Sequence, residues 1–251
     1  MERGMNERIR KLRKQSLETE PHIYMERAKL ETEAYMMYEG SVSVPELRAL
    51  SFKHFMEHKA LCINDGELIV GEKGDGPQAA PSFPELCCHT VEDMKVMDAR
   101  DLIYFRVSEE DLKVQEETII PFWEKRSIRH KILENMSEEW KDAYAAGIFT
   151  EFMEQRGPGH TVGSEKIYKK GFQDYKNDII EARNRLDFLN DKEAFDKKAQ
   201  LNAMEICCDA IMILGERYAA YARELAEKET DEIRKQELLQ IAANCDVVPA
   251  H

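Results

Sequence analysis

The chain has 251 residues, of which 43% are hydrophobic and 34% charged, enough to bury a core in one domain of ordinary size or two small ones. Its 49 acidic and 36 basic residues give a net charge of -13, which argues against nucleic acid and anionic membranes as partners. No apolar run approaches the ~20 residues that span a bilayer. The N-terminus also lacks the apolar stretch of a signal peptide, so we expect a cytoplasmic protein.

The first third of the chain is predicted to be helical. Residues 5–20 form a charged stretch that a proline ends. Apolar residues then recur at spacings of three and four over residues 22–40, which predicts a helix that stops at Gly40. Ser43 and Glu46 have the spacing of a capping box and predict the start of a third helix.

The character changes after this helix. Asn64-Asp65-Gly66 is a strong turn signal, the apolar run at residues 67–71 predicts a short strand, and residues 71–85 predict an extended loop rich in Gly and Pro. Helices are expected to resume after capping residues. These caps are Thr90, Ser108 with Asp111 three residues on, and Ser137, whose helix ends at Gly147.

The last third predicts an antiparallel helical hairpin. An apolar seam with steps of three and four runs from Tyr168 to Leu189, and a second long helix is expected over residues 192–229. A final helix begins at Asp231. The chain then closes on "CDVVPAH", in which Val247 to Pro249 predict the start of an extended segment, so we expect the polypeptide to be a piece of a longer one.

The six cysteines are interpreted as mostly small core residues of a reducing compartment. Cys87, Cys88 and His89 form a contiguous set that could suggest zinc, but three adjacent residues do not easily converge on one tetrahedral ion. We therefore expect no metal site and no cofactor bound in this chain.

His160 follows a Gly-Pro-Gly turn inside "FTEFMEQRGPGHTV", and it is the candidate catalytic residue of the sequence. Gly157, Pro158 and Gly159 cannot continue a helix and would fix where the histidine lies. Composition and spacing alone favour a histidine that hydrogen-bonds a carbonyl and closes a loop, since its near-neutral pKa permits catalysis without requiring it. Phe149 and Phe152 would by default be core aromatics.

Several segments together resemble the N-terminal region of glycyl radical enzymes, the pyruvate formate-lyase-like family. They are "ERAKLETEAY", "INDGELIVGEKGDGPQAAPSFPELCCHT", "FTEFMEQRGPGHTV" and "CDVVPAH", and the similarity covers essentially the whole chain. Within the family the likeness is strongest to the branch that dehydrates trans-4-hydroxy-L-proline. The resemblance implies a mainly α fold, the N-terminal helical portion of an α/β ten-stranded barrel, with residues 1–251 as one incomplete domain that lacks the barrel core and the glycine radical domain.

The resemblance also implies a mechanism and partners. Family members hold a glycyl radical near their C-terminus, installed by a separate radical SAM activating enzyme, and pass it to a mid-chain cysteine that abstracts hydrogen from the substrate. Neither radical motif is present here, so this chain alone is expected to be inactive. By resemblance, His160 would be the acid beside the substrate hydroxyl and Phe152 a pocket wall, and the full-length enzyme would be a homodimer in the cytoplasm.

Two alternatives stay open on the sequence. The chain could belong to another glycyl radical branch, such as a diol dehydratase, a choline lyase or a formate lyase, because most pocket residues lie outside it. It could also be a non-catalytic helical interaction protein derived from the family.

Overall fold

A computed structural model describes residues 6–149 and 164–251, and the described chain divides into two units. Unit one comprises residues 6–19, 33–77 and 164–251, and unit two comprises residues 20–32 and 78–149. The described elements are, in order, α1 Glu7–Glu18, β1 His22–Tyr24, α2 Glu26–Tyr38, α3 Val44–His58, β2 Ala79–Pro81, α4 Val91–Ala99, α5 Glu109–Val114, a π-helix Gln115–Ile119, α6 Ile120–Trp123, α7 Ile128–Asn135, α8 Glu138–Ala145, a 3-10 helix Ser164–Tyr168, α9 Phe172–Asn184, α10 Ala194–Lys228 and α11 Glu232–Val247. The prediction of a mainly α fold is confirmed.

In unit one, the long helix α10 packs against α3, α9 and α11. Its inward positions carry small side chains, which allow neighbouring helices to approach closely because little volume lies between the backbones. One core cluster joins Ala222 and Ala226 of α10 to Leu238, Ile241 and Ala242 of α11. All five are at most 3% exposed, so burial of apolar surface holds this pair of helices together.

Helices α9 and α10 form the predicted antiparallel hairpin. Lys176 near the start of α9 pairs with Asp209 at 2.6 Å, while Arg183 near its end pairs with Glu205, earlier in α10. The seam is shorter than predicted, because α9 ends at Asn184 and Leu189 lies in the following turn, 95% exposed. The α10 bounds agree with the predicted helix within two residues.

Helix α3 begins and ends as its sequence indicates. The predicted capping box is present, with the Ser43 side chain accepting from the Glu46 backbone and the Glu46 carboxylate accepting from the Ser43 backbone. At the other end, the Arg217 guanidinium donates to the carbonyl oxygens of Met56 at 2.5 Å and Lys59 at 2.7 Å. A cation on these carbonyls offsets the negative end of the helix dipole.

The predicted strand at residues 67–71 is wrong, because this stretch is irregular in the structure. Carbonyl groups in and beside this stretch accept hydrogen bonds from side chains and not from a neighbouring strand. Arg234 donates to the Asn64 and Glu67 carbonyls at 3.1 and 2.7 Å, and the Lys59 ammonium donates to the Glu72 carbonyl at 2.7 Å. Gly71 also adopts φ of 134°, which removes it from the strand region.

The strands instead lie in unit two, where they pair in parallel over three residues from His22↔Ala79 to Tyr24↔Pro81. Helix α2 consequently begins at Glu26, later than the predicted start at residue 22. Its end agrees with the prediction, since Gly40 has φ of 79° just beyond it.

The helices of unit two follow the predicted caps. Capping boxes at Thr90 with Asp93 and at Ser108 with Asp111 begin α4 and α5, and α8 follows Ser137. Helix α7 and the π-helix were not predicted. The π-helix lies immediately before the Pro-containing α6, and its Ile119 is fully buried.

Candidate functional site

The sequence-predicted site residues, His160 and Phe152, lie outside the described residues. The structure describes the residues that flank them, up to Phe149 on one side and from Ser164 on the other. The contacts that hold the upstream flank of the candidate site all lie in unit two.

An aromatic cluster holds the chain at Phe149. Its ring packs edge-on against Trp140, with ring centroids 5.3 Å apart, and tilted against Tyr144 at 5.6 Å. Trp140 and Tyr144 are four residues apart on α8 and so lie on one face of that helix. Gly147, with φ of 72°, turns the chain back so that Phe149 can return to this face. The chain thus reaches residue 150 from a fixed position.

Arg129 supports this cluster from α7. Its guanidinium donates to the Tyr144 hydroxyl at 2.7 Å and lies 4.0 Å from the Cys87 sulfur, while its backbone N–H donates to the Leu86 carbonyl at 3.0 Å. Burial disfavours the charged guanidinium, but the hydrogen bond to Tyr144 helps to outweigh it and the pKa of Arg129 is raised. Within the described residues, its buried Nε has no hydrogen-bond partner. The side chain thus remains a cation next to the flank of the candidate site.

The Cys87-Cys88-His89 segment lies beside Arg129 and the π-helix. Burial raises the pKa of Cys88 to about 12, helped by the neighbouring Cys87 and Glu124, and burial lowers the pKa of His89. Both groups are therefore neutral near pH 7, and a neutral thiol is a poor nucleophile. The Gln115 amide fixes this segment by donating to the His89 carbonyl at 2.6 Å.

All six cysteines are free thiols. Burial raises the pKa of five of them, which are Cys62, Cys88, Cys207, Cys208 and Cys245. Only Cys208 is fully buried and the others are partly exposed, so the interpretation as core residues holds in part. In the part of the chain that the structure describes, no three His, Cys, Asp or Glu side chains are grouped so as to hold a metal ion. Nor does any described helix combine the length and apolarity needed to cross a membrane.

Unit one contains an apolar cavity of about 360 Å³ that sequence reasoning missed. Its walls come from the irregular stretch at residues 68–71 and from α10, α11 and the residues after α11. Burial raises the pKa of Tyr218 in this wall to about 12, so the phenol stays neutral. Two apolar runs of the sequence that line this cavity, "LIVG" and "VV", could have indicated it, but they were interpreted as extended segments.

A family model described as pyruvate formate lyase-like matches residues 5–251. The chain belongs to this family. Its mostly helical fold corresponds to the N-terminal portion of glycyl radical enzyme structures.

Individual relatives refine the comparison. The chain is 62% identical to trans-4-hydroxy-L-proline dehydratase of Clostridioides difficile, covering 100% of this chain and 32% of that protein. The crystal structure of that organism's hydroxyproline dehydratase, with trans-4-hydroxy-L-proline bound, superposes with a TM-score of 0.94 over 100% of this chain and 32% of that one. The glycerol-bound B12-independent glycerol dehydratase of Clostridium butyricum gives 0.88 at 28% identity, covering 100% of this chain and 32% of that one. The chain spans about a third of the length of the curated relatives that it matches.

Proposed function

We propose that the chain is the N-terminal third of a glycyl radical dehydratase that removes water from trans-4-hydroxy-L-proline. The proposal rests on the difference between the sequence identities of this chain to its relatives. The chain is 62% identical to the hydroxyproline dehydratase but only 30% identical to an isethionate sulfite-lyase and 29% identical to a sulfopropanediol dehydratase. A shared family alone would not produce such a gap, so the substrate of the first relative is favoured.

The proposed reaction converts the substrate to pyrroline-5-carboxylate and water. The radical residues belong to the remainder of the full-length protein and would supply a substrate radical beside the ring nitrogen. The neighbouring C–O bond then breaks, and the oxygen leaves as water if it receives a proton. The hydrogen atom taken from the substrate is returned to the product, so the net change is the loss of one water molecule and no external oxidant is consumed.

Within this chain, His160 is the proposed acid that protonates the leaving hydroxyl, and Phe152 is a proposed wall of the pocket. Hydroxide is a poor leaving group, and a positioned acid lowers such a barrier by a factor of about 10² to 10⁴. The Gly-Pro-Gly turn before His160 supports a defined position for the imidazole. The aromatic cluster at Phe149, three residues before Phe152, supports a fixed starting point for this segment.

The wider assignments follow from the same proposal. The full-length protein would complete the barrel that residues 1–251 begin, and it would carry the radical glycine and cysteine. A radical SAM activating enzyme would be its partner, it would form a homodimer, and its six free thiols suit the reducing cytoplasm.

The test of His160 uses the full-length enzyme after anaerobic activation. We expect His160→Gln to lower kcat by about 10² to 10⁴, while the glycyl radical signal in electron paramagnetic resonance keeps its wild-type intensity. We also expect the wild-type kcat to depend on the protonation of His160, and this pH dependence should be absent in the variant. His130→Gln, at a partly exposed position of α7, is the matched control and should keep wild-type kcat. An unchanged rate in His160→Gln would contradict the acid role.

The substrate is tested with a panel of trans-4-hydroxy-L-proline, 1,2-propanediol, glycerol, choline and pyruvate. Turnover of hydroxyproline alone supports the proposal. Turnover of another compound instead would assign the chain to a different branch of the family. Absence of both radical signal and turnover would favour a non-catalytic relative.

A further inference from the structure

Two histidines lie one turn apart at the end of α3, in unit one. His54 and His58 are four residues apart, so their side chains share one face of the helix. Their ring centroids are 4.2 Å apart, and the ring planes are inclined at 34°. A helix that presents two imidazoles at this spacing can bind one zinc ion with both rings.

Each ring has one nitrogen whose hydrogen bond fixes the position of the proton. Nε2 of His54 lies 3.2 Å from a carboxylate oxygen of Glu33 on α2, and Nδ1 of His58 lies 2.8 Å from the His54 carbonyl oxygen. An ionised carboxylate and a carbonyl only accept hydrogen bonds, so these two ring nitrogens are the donors. In the neutral rings the lone pairs therefore lie on Nδ1 of His54 and Nε2 of His58.

These hydrogen bonds are of the kind that supports metal-binding histidines. A histidine that binds a metal through one nitrogen usually donates from the other to a carboxylate or a backbone carbonyl, which orients the ring and makes it a more basic ligand. His54 donates to the carboxylate of Glu33 and His58 donates to a backbone carbonyl. Both rings thus already have the outer contacts that a metal ligand needs.

The surroundings of the histidine pair suit a cation. His58 is exposed and the His54 side chain is 12% exposed, so an ion can approach the pair from the side of His58. His58 is the last residue of α3, and the helix dipole favours positive charge there. Zinc–nitrogen bonds of about 2.0–2.1 Å place two nitrogens of a tetrahedral ion about 3.3 Å apart. Rings with centroids 4.2 Å apart can reach this separation.

We infer that Nδ1 of His54 and Nε2 of His58 bind one late first-row divalent metal ion, such as Zn²⁺, and that Glu33 orients His54. Imidazole suits these ions, whereas Mg²⁺ and Ca²⁺ prefer oxygen ligands. Two protein ligands with water in the other positions are sufficient. The site is therefore compatible with the finding that no three His, Cys, Asp or Glu side chains of the described chain are grouped for a metal. It departs from the expectation, drawn from the sequence, that this chain has no metal site.

The first test measures the reactivity of single histidines in the untagged full-length protein after removal of metal. Diethylpyrocarbonate modifies an unprotonated imidazole nitrogen, and peptide mass spectrometry gives the rate at each histidine. We expect Zn²⁺ to slow the modification of His58 at least tenfold and to leave His130, a partly exposed histidine of α7, unchanged. Mg²⁺ should protect neither. A His58 that is unreactive without zinc, or that reacts equally fast with it, would overturn the inference.

Variants of the same protein separate the histidine pair from thiols that also bind zinc. In isothermal titration calorimetry we expect His54→Gln and His58→Gln each to bind one zinc ion fewer per chain than the wild type, and His130→Gln to bind the same number. Glu33→Ala should weaken the site by about 10- to 100-fold, because an orienting partner is lost. Loss of the ion in only one of the two α3 variants, or in neither, would overturn the inference. Neither test needs the radical or the substrate, so the metal site and the proposed function stand or fall separately.

Discussion

At the scale of single residues, Thr32 joins two helices of unit two through one hydroxyl group. The hydroxyl donates to the Ala28 carbonyl of its own helix at 2.6 Å and accepts the indole N–H of Trp123 at 2.8 Å. Thr32 and Trp123 are 1% and 2% exposed. Both hydrogen bonds are therefore shielded from water.

We therefore expect Thr32→Val, which keeps the shape and removes the hydroxyl, to abolish the buried hydrogen bond from the Trp123 N–H. The loss should lower the free energy of unfolding by ~0.5–1.5 kcal/mol. Urea unfolding monitored by tryptophan fluorescence measures it. Thr32→Ser retains the hydroxyl and is the control, and equal stability of the valine and serine variants would contradict the role given to this bond.

At the scale of elements, α1 is attached to unit one mainly by charge. Arg8 pairs with Glu237 of α11 and donates to the Gly66 carbonyl at 2.9 Å, and Lys11 pairs with Asp65. Every residue of α1 stays at least partly exposed, so little apolar burial supports the helix.

The attachment of α1 should weaken in acid. The hydrogen bond from Arg8 lowers the pKa of Glu237, and the one from Lys11 lowers the pKa of Asp65. A carboxyl whose pKa is lowered by folding stabilises the folded state above its ordinary pKa, about 4, and loses that effect as the pH falls through the lowered value. We expect hydrogen-exchange protection factors over Glu7–Glu18, corrected for intrinsic rates, to fall several-fold between pH 6 and pH 3.

The Glu237→Gln variant is the control for α1. It should show reduced protection already at pH 6 and a smaller further change in acid, and high salt should weaken the wild-type attachment in the same direction. Protection factors that do not change with pH would contradict the electrostatic attachment.

Gly215 of α10 shows how a helix can require the absence of a side chain. A Cβ at this position would lie 2.7 Å from Pro249 Cδ and 3.1 Å from the Val248 carbonyl oxygen. Replacing a glycine inside a helix by alanine ordinarily stabilises it by about 0.5–1 kcal/mol. Here the segment after α11 occupies the space, and backbone cannot move aside as cheaply as a flexible side chain.

We therefore expect Gly215→Ala to be destabilising, by ~1–3 kcal/mol, the usual range for an overpacked site. The melting temperature measured by circular dichroism tests this. Gly76→Ala is the control, because in the described part of the chain no heavy atom lies within 4 Å of the place that its methyl group would take, and it should be near neutral. A stabilised Gly215→Ala would show that the segment Val248–His251 does not pack on α10 in solution.

At the scale of the whole molecule, the described chain leaves many large apolar side chains in water. In unit one, Leu189 is 95% and Phe195 is 73% exposed, and in unit two Leu102 and Ile103 are 80% and 82% exposed. We expect the 251-residue chain expressed by itself to associate at micromolar concentration and to bind a dye for exposed apolar surface. Size-exclusion chromatography with light scattering measures the association, and Leu189→Lys with Phe195→Lys should reduce it. A monomer that binds no dye would contradict this expectation.

Local signals account for what the sequence could predict of the fold. The cap at Ser43 and Glu46 depends on residues three apart, so its helix was found at the right start. β1 was missed because its partner is 57 residues away at Ala79, and the strand at 67–71 was wrongly predicted because Arg234 and Lys59, distant in sequence, take the neighbouring carbonyls. For the site, Gly157-Pro158-Gly159 predicts a turn before His160, but the catalytic role of His160 came from family resemblance, and both stay predictions.

The π-helix has a consequence for how this chain tolerates length changes. The Ile120 N–H donates to the Gln115 carbonyl five residues back, so this turn holds one residue more than an α-helical turn. Because the wide turn takes up the extra residue locally, deleting a single residue there should close it to a regular α-helical turn and leave Trp123 beside Thr32. Gln115–Ile119 is thus the place in this helix where we expect a one-residue deletion to be tolerated best.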